Sequence, residues 1–78
     1  MTKEEKAILL LEVYNQEKQR LTDDVKSKKA KIVTAEIDKE ISSADADRQI
    51  HEVNDYLELE SSRIERRFLR AICALKGD

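Results

Sequence analysis

Apolar side chains recur at Leu11, Tyr14, Leu21, Val25, Ile32 and Ala35, and Lys18, Lys28 and Lys39 fill positions in the same row. Steps of three, four and seven residues place these on one face of a helix. A second row, Ala30, Val33, Ile37 and Ile41, begins before the first ends. The seam therefore changes phase near residue 30, through a stutter or bend there or a break near Thr22 or Ser27. The start is well marked. Thr2 is an N-cap residue with Glu5 three positions later, a capping box, and Glu4 and Glu5 suit the positive end of the helix dipole.

A third row is more regular: Ala46, Ile50, Val53, Leu57, Ile64, Phe68, Ala71 and Leu75, with Glu60 and Arg67 at the odd positions. Before it lies Ser42-Ser43-Ala44-Asp45-Ala46-Asp47. A serine there caps the next helix, and Asp45 and Asp47 fall in its first turn. Lys76 and Gly77 form an ordinary helix end. These signals predict an all-α chain: a helix over about 3–41, a turn at about 42–44 and a helix over about 45–76. The whole of 1–78 is read as one helical-hairpin domain.

With no proline and one glycine, an unbroken helix of about 110 Å is the competing reading. The pairing of the two halves favours the hairpin. Folding near Ser43, so that partner positions sum to about 86, sets Ile37 against Ile50, Val33 against Val53, Leu21 against Ile64, Tyr14 against Ile72 and Leu11 against Leu75. The same register sets Lys31 against Asp55, Lys28 against Glu58, Lys26 against Glu60 and Asp23 against Arg63. Each exposed ion pair is worth only about 0–1 kcal/mol, so their agreement with the apolar register matters more than their energy.

The termini carry more apolar surface than one neighbouring helix covers. Residues 7–14 and 68–75 are apolar nearly all round. A stripe that wide implies further neighbours, and two helices have no second layer of their own. The expectation is a homodimer, most simply two-fold, joined through Ile8, Leu11, Tyr14, Phe68, Leu69, Ile72 and Leu75.

Composition agrees with helices: 41% of residues are charged, 40% hydrophobic and 4% aromatic. It also narrows the chemistry. The single histidine, His51, shares a helix face with Asp47 and Asp55, but two carboxylates and one imidazole make a poor metal site. Cys73 has no base nearby to activate it and lies among apolar residues, which favours interface packing. One glycine excludes a glycine-rich phosphate loop. No enzyme, cofactor or metal is expected. The apolar run of residues 7–11 is too short to span a bilayer, no signal peptide is evident and the one cysteine has no internal partner. These point to a cytoplasmic protein.

One stretch stands out: "SRIERRFLR", residues 62–70, holds four arginines. Arg63, Arg66, Arg67 and Arg70 gather on one helix face, about 130° from Ile64 and Phe68. Residues 42–62 contain six acids and one base, whereas 63–76 contain five bases and one acid. The arginines are thus the positive end of an edge whose other end is acidic. Nucleic acid is disfavoured by the acidic neighbours, the pI near 5.5 and the scarcity of aromatics. The sequence reads as a small protein–protein interaction factor (an adaptor, inhibitor or chaperone-like accessory protein) that docks through a helix face. Its expected partners are itself and a protein bearing an acidic or amphipathic helix, with the arginines as the charge-selective contact. A nucleic-acid-associated regulator using Arg63–Arg70 is the second reading.

Overall fold

A computed structural model describes residues 1–77. Two helices, α1 (Lys3–Ile37) and α2 (Ser43–Gly77), pack against each other as an antiparallel hairpin. Its backbone measures 56 × 16 × 8 Å, a single layer of two long rods.

Thr2 caps α1 as its sequence suggests. Its Oγ1 accepts a hydrogen bond from the Glu5 backbone N–H at 3.1 Å, which satisfies one of the donors left open at a helix start. The helix then runs unbroken through Thr22 and Ser27. Within it the Thr22 hydroxyl donates to the Lys18 carbonyl at 3.0 Å, one turn back. Ala7, Leu10, Tyr14, Leu21, Val25, Ile32 and Ala35 turn toward α2. Leu10 therefore holds the place expected for Leu11, which is exposed. The second apolar row does not join the seam: Ala30 and Val33 face solvent and Ile37 is 72% exposed.

α1 stops at Ile37, four residues before the expected 41. The cause is a backbone motif that the sequence does not advertise. Lys39 adopts φ 61°, in the left-handed region. Its N–H donates to Glu36 O at 3.0 Å, and the Glu40 N–H donates to Ala35 O at 2.9 Å. This is the double bond pattern of a Schellman cap, which glycine usually terminates. A lysine there meets the steric penalty that glycine escapes. Lys39→Gly should therefore stabilise the hairpin, by about 0.5–1 kcal/mol after the entropy of the unfolded glycine is counted. Urea unfolding followed by helix signal measures it, and a loss of stability would contradict the strain.

Ser42 ends the loop and caps α2. Its Oγ accepts from the Asp45 N–H at 3.1 Å, and its carbonyl accepts from Ala46 at 2.9 Å. Asp45 sits in the first turn, near the helix's partial positive charge. The seam of α2 follows the predicted row: Ala46 and Ile64 are buried, and Ile50, Val53, Leu57, Glu60, Phe68, Ala71 and Leu75 are half-buried. Arg67 lies exposed at its edge.

The early stop resets the register. Tyr14 stacks on Phe68, ring centroids 4.7 Å apart, in place of meeting Ile72. Lys18 bridges Glu65 at 3.2 Å and Glu17 bridges Arg67 at 3.3 Å. Partner positions thus sum to about 83, nearly one helical turn from the expected 86. The four expected cross-helix charge pairs do not form. Lys28 instead bridges Asp24 one turn away, and Glu60 bridges Arg63 within α2. The pairing of Leu21 with Ile64 stands, and with Val25 they form the core, flanked by Tyr14, Val53 and Leu57.

Candidate functional site

Among the described residues five hydrophobic side chains are buried: Leu21, Val25, Ile32, Ala46 and Ile64. None lies near the termini. Of the terminal apolar residues, Ala7, Leu10, Tyr14, Phe68, Ala71, Ile72 and Leu75 are half-buried along the seam, whereas Ile8, Leu9, Leu11, Val13, Leu69 and Ala74 are exposed, and the helical repeat divides these between the two broad faces of the layer.

On one face a furrow of about 520 Å³ runs between the helices, floored by Leu9, Leu10, Val13, Ala71, Ala74 and Leu75. Toward the loop it continues into a smaller hollow of about 180 Å³ that shares Leu10, Val13 and Ala71 and reaches Tyr14, Ile64 and Phe68. The Glu17–Arg67 ion pair stands at its inner end. Beyond it the lining turns polar, through Arg20, Asp24 and Glu60. The apolar part extends from Lys6 to Glu17, about 17 Å at the usual helical rise.

The opposite face carries a smaller hollow of about 200 Å³ near the chain ends, lined by Lys3, Glu4, Ala7, Ile72, Leu75 and Lys76. Helical geometry groups Ile8 and Leu11 of α1 with Leu69 and Ile72 of α2 there, on the side that also carries the Lys18–Glu65 bridge. Ile8 is 57% and Leu69 59% exposed. The seven residues expected to form one interface are therefore split. Ile8, Leu11 and Leu69 project outward, whereas Tyr14, Phe68, Ile72 and Leu75 are half-buried between the helices of the same chain. Leu9, Val13, Ala71 and Ala74, not singled out from the sequence, line the furrow instead. Their signal was present in the apolar surround of both termini, but which face each joins depends on the pairing of the helices.

The arginines lie along the outer side of α2, next to the furrow. Arg63, Arg66, Arg67 and Arg70 surround Leu59 and Ser62 in a shallow concavity of about 400 Å³. Arg67 also lines both hollows of the furrow face beyond the main furrow. Glu60 neutralises Arg63 at 3.3 Å and Glu17 neutralises Arg67 at 3.3 Å. Among the described residues, Arg66 and Arg70 have no ion-pair partner.

Lys26, Lys28, Lys29 and Lys31 form a second basic cluster on α1, and Lys28 of that cluster is occupied. Lys28 bridges Asp24 at 3.2 Å, and its Nζ lies 3.8 Å from the centre of the Tyr56 ring, a cation–π contact. Asp47, His51 and Asp55 are exposed along α2, and among the described residues no three such side chains converge on a common point. Cys73 is exposed in the single chain. Among the described residues no helix is long and apolar enough to cross a membrane. No family model, curated protein or solved structure matches this chain.

Proposed function

We propose that this chain is a small protein-interaction factor, not an enzyme, which self-associates through its terminal end and docks helices of other proteins. The observation that carries this reading is the distribution of apolar side chains at the termini. They lie on both broad faces of a layer whose backbone is 8 Å thick, while the buried core lies elsewhere. A two-helix layer has no second layer to cover such surface, and contiguous exposed apolar patches mark association sites.

The face of Ile8, Leu11, Leu69 and Ile72 suits a second copy of the chain, because a two-fold contact needs a self-complementary patch. The furrow on the other face then remains available to a partner helix, in the helix-in-groove manner. A cytoplasmic setting belongs to the same proposal. Sedimentation equilibrium at micromolar concentration tests self-association: a mass of two chains is expected, and a mass of one chain rejects it.

A nucleic-acid role has one observation in its favour, Arg66 and Arg70 in the exposed arginine concavity, without an ion-pair partner among the described residues. Against it, Arg63, Arg67 and Lys28 are each held by an acid of the same chain, and phosphate binding relies on cations free to displace counterions. The expected result is no retention of a mixed-sequence RNA or duplex DNA at 50 mM salt. Retention that disappears in the Arg66→Glu, Arg70→Glu double variant would establish the nucleic-acid reading.

A further inference from the structure

We infer that the furrow takes a particular kind of helix: about three turns long, apolar along one side and acidic along the flank that meets α2. This rests on the docking role proposed above and specifies the chemistry of the partner.

The length follows from the furrow. Its apolar floor runs from Lys6 to the Glu17–Arg67 bridge, about 17 Å, which matches about three turns of helix. An occupant with apolar residues at i, i+3 or i+4, and i+7 covers that floor once and ends at the bridge. The floor is lined by small and branched side chains, Ala71 and Ala74 on one wall against Leu9 and Val13 on the other. Small residues on the α2 wall let a third helix approach closely there.

The acidic flank follows from the α2 wall. Four arginines occupy positions 63–70, and Arg67 is shared between the arginine concavity and the furrow's inner hollow. The one acid interspersed among them, Glu65, is drawn to the opposite face by Lys18. At the furrow's mouth the other wall adds Lys6. A carboxylate-bearing flank laid against this wall meets Arg66 and Arg70, which have no acid of their own among the described residues, and their planar guanidinium groups donate bidentately to carboxylates. A second copy of the chain fits less well. It would bring its own arginine wall to the same furrow, and like charges across an interface are strongly disfavoured.

The test uses two synthetic amphipathic helical peptides of three to four turns. They share one Leu/Ala face, and the flanks are all Glu in one and all Lys in the other. Binding to the full chain is followed by fluorescence anisotropy at 50 and 300 mM salt. The Glu-flanked peptide is expected to bind at least tenfold more tightly, with the advantage shrinking at high salt as exposed charges are screened. Ala74→Trp should fill the furrow and remove binding of both peptides. Because Ala74 is exposed, α2 should retain its helix signal. Arg66→Glu with Arg70→Glu should invert the preference while leaving the furrow open. If both peptides bind equally and Ala74→Trp removes both, the furrow docks helices without charge selection, and this inference alone falls. Failure of both peptides to bind the unaltered chain removes the docking role as well. Binding of the Glu-flanked peptide that Ala74→Trp leaves intact would place the contact outside the furrow and overturn the assignment.

Discussion

Ile64→Ala is expected to cost the hairpin about 2–5 kcal/mol, the usual range for emptying a buried aliphatic site. Ile64 is 9% exposed and packs with Leu21 and Val25 in the hydrophobic core. Its loss should be felt more sharply than in a larger protein. Small domains of this length sit within about 5 kcal/mol of unfolding, so the variant should be largely unfolded at 37 °C. Ile37 provides an internal comparison. It is the same residue type in the same fold, but it is 72% exposed. Ile37→Ala should therefore change stability by no more than about 0.5 kcal/mol, as surface substitutions usually do. Urea titrations of the two variants at one protein concentration measure the difference. Similar midpoints for both would mean that the register described here is wrong.

Leu69→Glu should have the larger effect on assembly. In the hairpin alone Leu69 is 59% exposed, so a glutamate there disturbs the single chain little. In a two-fold contact through the Ile8, Leu11, Leu69 and Ile72 face, each copy would bury a new carboxylate without a partner. That costs several kcal/mol, and about 4 kcal/mol corresponds to roughly a thousandfold weaker association. The expected mass at micromolar concentration falls from two chains to one. Stability should fall with it and cease to depend on protein concentration, because association that favours the folded state raises apparent stability by mass action. A variant that keeps the mass of two chains would move the self-contact away from this face. The furrow should be unaffected, since Leu69 does not line it. Self-association and partner docking are thus separable by mutation.

The two helices and the caps were legible because they depend on local chemistry. Thr2 bonds the Glu5 N–H as its capping box implies, and Ser42 caps α2. The regular row from Ala46 to Leu75 is the seam of α2 almost residue for residue. The register was not legible, and the reason is periodicity. A seam that repeats every three or four residues matches its partner about as well after a slip of one turn. The sum of about 86 and the observed one of about 83 therefore satisfied nearly the same apolar pattern. Surface charges are too weak to break that tie. In the folded chain they take whichever partner is close, as Lys28 takes Asp24 and Glu60 takes Arg63.

The loop made the choice. Lys39 in the left-handed region ends α1 at Ile37, and no glycine or proline marks the place. Because α1 keeps one helical phase to that end, Val33 and Ile37 stay out of the seam, and Tyr14 is seated against Phe68. From the sequence alone came a capped, uninterrupted pair of amphipathic helices, an apolar excess at the termini and an arginine edge, because each is a matter of residue type at helical spacing. Only the tertiary pairing decided which terminal side chains floor a furrow, which stand on the opposite face, and that Glu17 holds Arg67 across the helices. Those outcomes depend on where one helix meets the other, and a repeating pattern leaves that position open to the nearest turn.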